Sequence, residues 1–357
     1  MVKYIIFEIT GKCNLQCKYC YNAKYNSKKY FGEELSINKI LKVLREAKKL
    51  GFELAAFSGG EPFLRNDLMQ IIRNSPLPVS ILTNGDLIKK EQIIELSKLK
   101  HFKELRFSLD GFEAHGRVRV NSKSDRVLSN IRCALAHGIH TSINTMITKF
   151  NIDELLELYA LIKKNLSKIT WRLDVPILSG RCKIFGRELF VENDVLFKRL
   201  KELIARYVRE QPSFKIIISN IFNSSLVNHG FYEHSLNEHP CNYAIGSVTI
   251  RPNGDVSFCP SLNVVFGNVT KYSLGEIMHA KKYATFCSMQ IKEIRACKRC
   301  KYLRVCGTGC RADAYLAGRG VRGKDTNSCS HFHYFEKYIL PILPKQRKNE
   351  FNLLLNI

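Results

Sequence analysis

Apolar and polar positions alternate in two distinct periods along the first half of the chain. Tyr4 to Ile9 is a short apolar run that leads into a cysteine-bearing loop. From Glu34 to Leu50 the apolar residues Leu35, Ile37, Ile40, Leu41, Val43, Leu44 and Ala47 fall at helical spacing, and Gly51 follows as a stop. Leu54 to Phe57 then reads as a strand ending in Ser58-Gly59-Gly60-Glu61-Pro62. The same alternation continues through predicted helices at Asn66–Arg73, Lys90–Leu99, Asp125–His137 and Asp153–Asn165. Between and after them lie predicted strands at Val79–Leu82, Glu104–Leu109, His140–Ile147 and Ile169–Val175. Six strands alternating with five helices imply parallel pairing through right-handed crossovers. The pattern is α/β, and it fits a closed barrel or an open doubly wound sheet.

Beyond Gly180 the periodicity weakens. An amphipathic helix is expected around Val195–Val208 and an Ile-rich strand at Phe214–Ser219. The run Ser224–His239, with His229, His234 and His239, has no regular period and reads as polar surface, with metal ligation as the lesser alternative. Val248 to Val256 reads as a hairpin turning at Pro252-Asn253-Gly254. His331 to Leu343 reads as a docking helix, followed after Pro344 by a basic stretch and a short apolar end. The expected divisions are 1–180, a bridging segment 181–239, a cysteine-rich unit 240–335 and a tail 336–357.

The length of 357 residues suggests about two domains, and the 45% hydrophobic content suffices for a full core. No apolar run approaches the roughly 18 residues that span a bilayer. The N-terminus reads as a first strand rather than a signal peptide, so a cytoplasmic location without membrane partners is expected. In that setting thirteen cysteines point to metal ligation rather than disulfides. Cys133 and Cys182 stand alone and read as buried small hydrophobes. The net charge of +24 invites an acidic partner, although a lysine-rich solvated surface explains it equally well. Lys281 to Lys324 carries twelve Lys or Arg against two acids, and such cations would stabilise anionic thiolate clusters nearby.

The candidate chemistry starts at Cys13-Asn-Leu-Gln-Cys17-Lys-Tyr-Cys20. Three thiols within eight residues are one short of a closed metal site. A zinc loop completed by a distant ligand, or three unrelated buried thiols, are the alternatives. The C-x3-C-x2-C spacing, with Tyr19 before the last cysteine, resembles that of the radical S-adenosylmethionine (SAM) enzymes. That resemblance implies a four-iron, four-sulfur cluster on Cys13, Cys17 and Cys20, with an open iron chelating SAM, and a partial (β/α)6 TIM-like barrel. It also implies SAM contacts from Gly59, Gly60 and Glu61, from Ser108 and Asp110, and from Arg119, with Arg117 as competitor. Asn144 would face the nucleoside, or else cap local backbone. Thr83-Asn84-Gly85 is either an ordinary turn or part of the site, and Trp171 is either core or near adenine. Arg172 and Asp174, alternating with apolar residues, are expected to point toward substrate.

A second cysteine grammar begins at Cys241: twelve residues, Gly254, four residues, Cys259, then Cys297-x2-Cys300-x5-Cys306-x3-Cys310 and, eighteen residues later, Cys329. It resembles the SPASM extension of peptide-modifying radical SAM enzymes, a small cysteine-rich iron-sulfur domain. The resemblance assigns Cys297, Cys300, Cys306 and Cys329 to one auxiliary four-iron cluster and Cys241, Cys259 and Cys310 to another. Relatives often add an eighth cysteine where Ser247 stands here, leaving an open iron, an atypical ligand or Cys287. Paired zinc knuckles binding nucleic acid are the competing reading, which interleaved ligands count against. The implied function is reductive cleavage of SAM to a 5'-deoxyadenosyl radical, followed by hydrogen abstraction from a peptide or protein; the surplus of cations suits an acidic one. An electron donor such as ferredoxin or flavodoxin would feed it. Pro260 stands where sulfatase maturases carry an acid, which argues against their reaction. A tetrapyrrole carboxylate is the alternative substrate. Because the predicted barrel opens almost at Met1, a partner protein or the basic surface would recruit a peptide.

Overall fold

The structure, a computed structural model, describes residues 3–24, 34–166, 168–219, 221, 230–241 and 246–355. Its six predicted strands are all present: β1 (Tyr4–Thr10), β2 (Leu54–Gly59), β3 (Val79–Thr83), β4 (Phe102–Ser108), β5 (Thr141–Met146) and β6 (Thr170–Asp174). They pair in chain order and in parallel. The intervening helices are α1 (Ile37–Lys49), α2 (Leu68–Arg73), α3 (Lys90–Lys98), α4 (Glu113–Val118), α5 (Ser124–Ala136) and α6 (Leu155–Asn165). The short α4 is one more than the sequence pattern anticipates; its six residues are too few to display a period.

The α1 stripe behaves as its spacing demands. Ile40, Val43, Leu44 and Ala47 are buried, and the Ser36 hydroxyl caps the first turn by accepting the Lys39 N–H. On the sheet, one face carries Ile5, Phe7, Ala55, Phe57, Val79, Ile81, Leu105, Phe107, Ile143, Trp171 and Leu173, all fully buried. The other face is largely polar. Register places Glu8 beside Ser58, Ser80 beside Glu104, Arg106 beside Ser142, and Asn144 between Ser108 and Arg172. Parallel strands covered by helices on both faces would be apolar throughout. The polar face therefore lines a lumen rather than a second helix layer. Trp171 belongs to the apolar face, donating its indole N–H to Thr145 Oγ1 at 2.9 Å.

The sheet extends past the predicted barrel at both edges. After α7 (Cys182–Leu189) and α8 (Asn193–Glu210), strand β7 (Lys215–Ile218) adds parallel to β6. On the far side β8 (Ser247–Ile250) adds parallel to β1, and β9 (Asp255–Ser257) and β10 (Gly267–Asn268) follow antiparallel. The order is thus β10-β9-β8-β1-β2-β3-β4-β5-β6-β7, one ten-stranded sheet. An open six-stranded sheet would leave two unpaired edges, and these additions cover them. The hairpin of the cysteine-rich unit is therefore continuous with the barrel. In the tail, helix Thr326–Tyr334 starts earlier than its apolar pattern suggests, because the Asp325 carboxylate caps it at Asn327 and Ser328. The segment after Pro344 forms a further helix, Lys345–Leu355, seated through Phe351 against Phe335 and Phe231. No helix among the described residues is long and apolar enough to cross a membrane.

One buried ion pair joins the barrel to the hairpin. Arg251, just past β8, donates from Nη1 to Glu8 Oε1 on β1 at 2.7 Å, and both side chains are at most 1% exposed. The same carboxylate accepts from Asn22 Nδ2 at 2.9 Å and from the Tyr21 hydroxyl at 3.3 Å. Arg251 also grips the Pro260 carbonyl through Nη2 at 2.8 Å. Arg251→Met should lower unfolding stability by about 3 to 5 kcal/mol, because it strands a buried carboxylate. In denaturant titration, the double variant with Glu8→Gln should recover part of that loss; simple additivity of the two changes would contradict this account.

Candidate active site

The cysteine loop leaves the C-terminal end of β1, where parallel sheets place their chemistry. Cys13, Cys17 and Cys20 are partly buried, and burial pushes Cys13 up to about 12 and Cys20 to about 11. Cys17 is raised by burial against the pull of Arg119. Without metal these thiols stay protonated at neutral pH, so cluster loading must release protons.

Three neighbours shape the loop. Glu34 Oε1 accepts the Gly11 N–H at 2.9 Å and the Thr10 hydroxyl at 2.7 Å. The end of β2 runs directly against it: Gly60 N–H donates to the Thr10 carbonyl at 2.8 Å and Glu61 N–H to the Lys12 carbonyl at 2.7 Å. A β-carbon on Gly59 would collide with the Thr10 carbonyl oxygen, and one on Gly60 with that of Lys12. Gly59 also sits at φ +138°, a conformation closed to other residues. The glycine pair is thus required by backbone-to-backbone approach to the cysteine loop, a different physical reason from close approach to a cofactor. Glu61, fully buried, accepts from Thr83 Oγ1 at 2.7 Å, Asn84 N–H at 2.8 Å and Phe63 N–H at 3.1 Å. Burial still pushes it up to about 7. Asn84 Nδ2 in turn donates to Asn14 Oδ1 inside the loop at 2.8 Å. Thr83-Asn84-Gly85 is therefore part of the site's frame as well as a turn.

Beside Cys17 lies a second polar group. Asp110 Oδ2 accepts from the Tyr19 hydroxyl and, at 2.7 Å, from Arg119 Nε. Its Oδ1 accepts the Met146 N–H at 2.7 Å. The Arg119 guanidinium stands 5.2 Å from the Tyr19 ring centroid and 3.8 Å from Cys17 Sγ. His115 receives the Asp110 N–H on Nδ1 at 3.1 Å, and Asn151 binds the Asp110 carbonyl at 2.6 Å. Both carboxylate oxygens of Asp110 are thus occupied by protein groups, which makes it a holder of Tyr19 and Arg119. Arg117, by contrast, is exposed and lies over Phe150 at 4.9 Å. Of the two competing arginines, Arg119 is the one at the cysteines.

The lumen face continues this site. Ser108 ends β4 in register with Asn144. Asn144 Nδ2 donates to Asp174 Oδ2 at 3.0 Å, while its Oδ1 is buried with no hydrogen-bond partner. A buried acceptor left unmet at the lumen's C-terminal edge fits a ligand that brings a donor. Arg172 and Asp174 occupy the same face as Asn144, as their alternation predicts, and burial raises the Asp174 pKa against the pull of Arg172.

Seven of the remaining cysteines form two groups. Burial raises Cys297, and the Cys329 and Cys300 thiolates raise it further; Cys306 responds to Cys329, Cys300 and Cys297 in the same way. Burial pushes Cys259 up to about 12 with Cys241 adding to it, and Cys310 is raised by burial, Asp313, Cys259 and Cys241. Cys297, Cys300, Cys306 and Cys329 thus lie within electrostatic reach of one another, as do Cys241, Cys259 and Cys310. Asp325 Oδ2 accepts the Cys310 N–H at 2.8 Å and caps the helix that carries Cys329, tying one set to the other. Among the described residues no three His, Cys, Asp or Glu side chains converge on a single metal ion. A four-iron cube takes each thiolate at a separate corner, so its ligands stand further apart than those of one zinc. Ser247 starts β8, buried and opposite Tyr4. Cys287 is governed by burial and a hydrogen bond from the Tyr283 hydroxyl.

The two described loop histidines are not surface. His234 is buried with Glu238 as partner. His239 is buried too, accepting the Cys241 N–H on Nδ1 and contacting the Phe286 carbonyl through Nε2, each at 3.0 Å. It fixes the backbone at Cys241 against that at Phe286. His229 lies outside the described residues. Sequence reasoning also passed over Glu8, Arg251 and Glu34. Glu8 carried a legible signal, a lone acid inside an apolar parallel strand.

Two parts of the chain match known families. Residues 7–162 match the Radical SAM superfamily, and residues 241–301 match SPASM, an iron-sulfur cluster-binding domain. A GTP 3',8-cyclase of Clostridium perfringens (strain SM101 / Type A) is 29% identical over 188 residues, 50% of this chain and 58% of that enzyme. The chain thus spans little more than half of that relative. An AdoMet-dependent heme synthase of Oleidesulfovibrio alaskensis is 25% identical over 328 residues, covering 88% of this chain and 83% of the other. The solved structure of anSMEcpe with bound AdoMet and Cp18Cys peptide shares the fold at TM-score 0.72 and 19% identity, covering 98% of this chain and 99% of that one.

Gly60→Ala tests the frame directly. It should leave the fold intact by circular dichroism yet lose the iron held by the Cys13–Cys20 loop, read as a drop of about one third in iron content. Full iron loading in this variant would show that the loop does not need the close approach.

Proposed function

The chain belongs to the radical SAM superfamily and carries a SPASM iron-sulfur domain, and from that premise we propose that it is a maturase-type oxidoreductase acting on a ribosomally made peptide or protein. Cys13, Cys17 and Cys20 would hold the SAM-binding four-iron cluster, and the two later cysteine sets would hold auxiliary clusters. With SAM bound and one electron supplied, this equipment furnishes a 5'-deoxyadenosyl radical for hydrogen abstraction.

The residues divide that work among themselves. Arg119 brings fixed positive charge next to Cys17, held in orientation by Asp110. Asn144 offers the unmet acceptor, and Ser108 stands beside it for the cofactor's nucleoside end. Glu61, Thr83 and Asn84 keep the cysteine loop in place, while the lumen beyond Asn144 is left for substrate. Auxiliary clusters on the Cys241 and Cys297 sets would take up or relay the electron as product forms.

The observation that carries the reading is the pair of auxiliary thiol sets joined to the barrel sheet through β8. Further support comes from a peptide-bound structure of the same fold over nearly the whole chain. A second reading, oxidation of a carboxylate-bearing tetrapyrrole, is favoured by the long match to a heme synthase and by Arg106 and Arg172 on the lumen face. Both readings need a ferredoxin- or flavodoxin-type donor, and neither involves nucleic acid.

Anaerobically reconstituted protein should form 5'-deoxyadenosine from SAM with dithionite. Cys13→Ala/Cys17→Ala/Cys20→Ala should abolish this while keeping about two thirds of the iron. With peptides encoded beside its own gene, the enzyme should remove hydrogen atoms from a side chain, seen by mass spectrometry. Loss of carbon dioxide from a tetrapyrrole instead would favour the second reading, and no 5'-deoxyadenosine at all would overturn both.

A further inference from the structure

We propose that the basic surface behind the cysteine loop docks an acidic one-electron carrier protein of the ferredoxin class. The inference rests on the reading of Cys13, Cys17 and Cys20 as cluster ligands.

Four segments meet at this surface. Lys18 belongs to the loop itself, and its N–H donates to the Val118 carbonyl at the end of α4 at 2.9 Å. Its ammonium lies 4.7 Å from the Phe150 ring centroid and 3.3 Å from Glu188. Arg117 lies over the same Phe150 ring. Lys149 donates to the Arg187 carbonyl at 3.1 Å, bringing the end of β5 against α7. The Arg181 N–H, just before α7, donates to the Cys20 carbonyl at 3.0 Å. With the exposed Lys183 and Arg187 on α7, six cations gather here among the described residues, with Glu188 beside Lys18. Among them Ile184 is 76% exposed and Leu178 47%.

Nothing in the proposed chemistry of the lumen uses these groups. Arg117 is turned out of the site, and Lys183, Ile184 and Arg187 face solvent. What sets the surface apart from the chain's general basicity is its seat: Lys18 and Arg181 are bonded into the backbone that carries Cys17 and Cys20. A partner held here lies beside the thiolates. Steering by a cationic rim around a small apolar contact suits a brief encounter that must form and dissociate at each turnover. The reduced carrier gives up one electron and returns to its oxidised state. That electron is consumed in breaking the carbon-sulfur bond of SAM, which yields methionine and the 5'-deoxyadenosyl radical.

The test uses the reconstituted holoenzyme and a purified acidic ferredoxin. Calorimetry should show binding that weakens as salt rises, and Arg117→Glu/Lys183→Glu/Arg187→Glu should weaken it about tenfold or more. The same variant should form 5'-deoxyadenosine at the parental rate with dithionite and more slowly with reduced ferredoxin. Lys42→Glu/Lys48→Glu/Lys49→Glu on α1, three exposed lysines, controls for net charge and should leave ferredoxin binding near the parental value. Ferredoxin affinity unchanged by the α7 reversals, or equally weakened by the α1 control, overturns the proposal. So does loss of acidic-peptide binding with ferredoxin binding intact, which would give the surface to substrate. Failure of SAM cleavage with dithionite in the parent protein would instead count against the cluster assignment.

Discussion

A single buried carboxylate, Glu8, holds together the parts of this protein that must act at fixed separation. It sits on the lumen side of β1, a few residues before the cysteine loop, and accepts from Asn22 and Tyr21 just after that loop. Its ion pair with Arg251 reaches across to the auxiliary domain, and Arg251 passes the constraint on to the carbonyl of Pro260, next to Cys259. An uncompensated charge at this depth would be strongly destabilising, so the geometry is enforced rather than merely permitted. The continuity of β8 with β1 follows the same line. Barrel and cysteine-rich unit therefore form one frame.

The second constraint is steric. The end of β2 approaches the cysteine loop so closely that residues 59 and 60 have no room for side chains. Glu61 then turns inward and gathers the end of β3 through Thr83 and Asn84, and Asn84 reaches back to Asn14. On the other side of the loop, Asp110 collects Tyr19 and Arg119. The ends of β2, β3 and β4 thus contribute polar residues that hold the loop or a neighbour of the loop. Among the described residues, Asn144 Oδ1 remains a buried acceptor without a hydrogen-bond partner at the lumen edge.

Much of this was legible in the order of residues, because parallel strands and their crossover helices carry strong local periods. The six barrel strands, the ligand spacings and the Pro-Asn-Gly hairpin all depend on local pattern. What the sequence hid depends on pairing between distant segments. Nothing local to Ser247–Ile250 says that it joins β1, and the Ile-rich β7 carries no sign of its partner. His239 resembled loop surface because its burial comes from Phe286, almost fifty residues away. Asp110, expected to meet the cofactor, holds Tyr19, Arg119 and a backbone N–H through its two oxygens, which only the folded arrangement reveals.

The account stands or falls on the three-thiol loop holding a cluster with an iron open to SAM. Electron paramagnetic resonance of the reduced, reconstituted protein, recorded with and without SAM, addresses this most directly. The account predicts that SAM shifts one cluster signal, and that this signal is missing when Cys13, Cys17 and Cys20 are replaced while the remaining signals persist. A spectrum indifferent to SAM, or a SAM-sensitive signal that survives loss of these three cysteines, would contradict it.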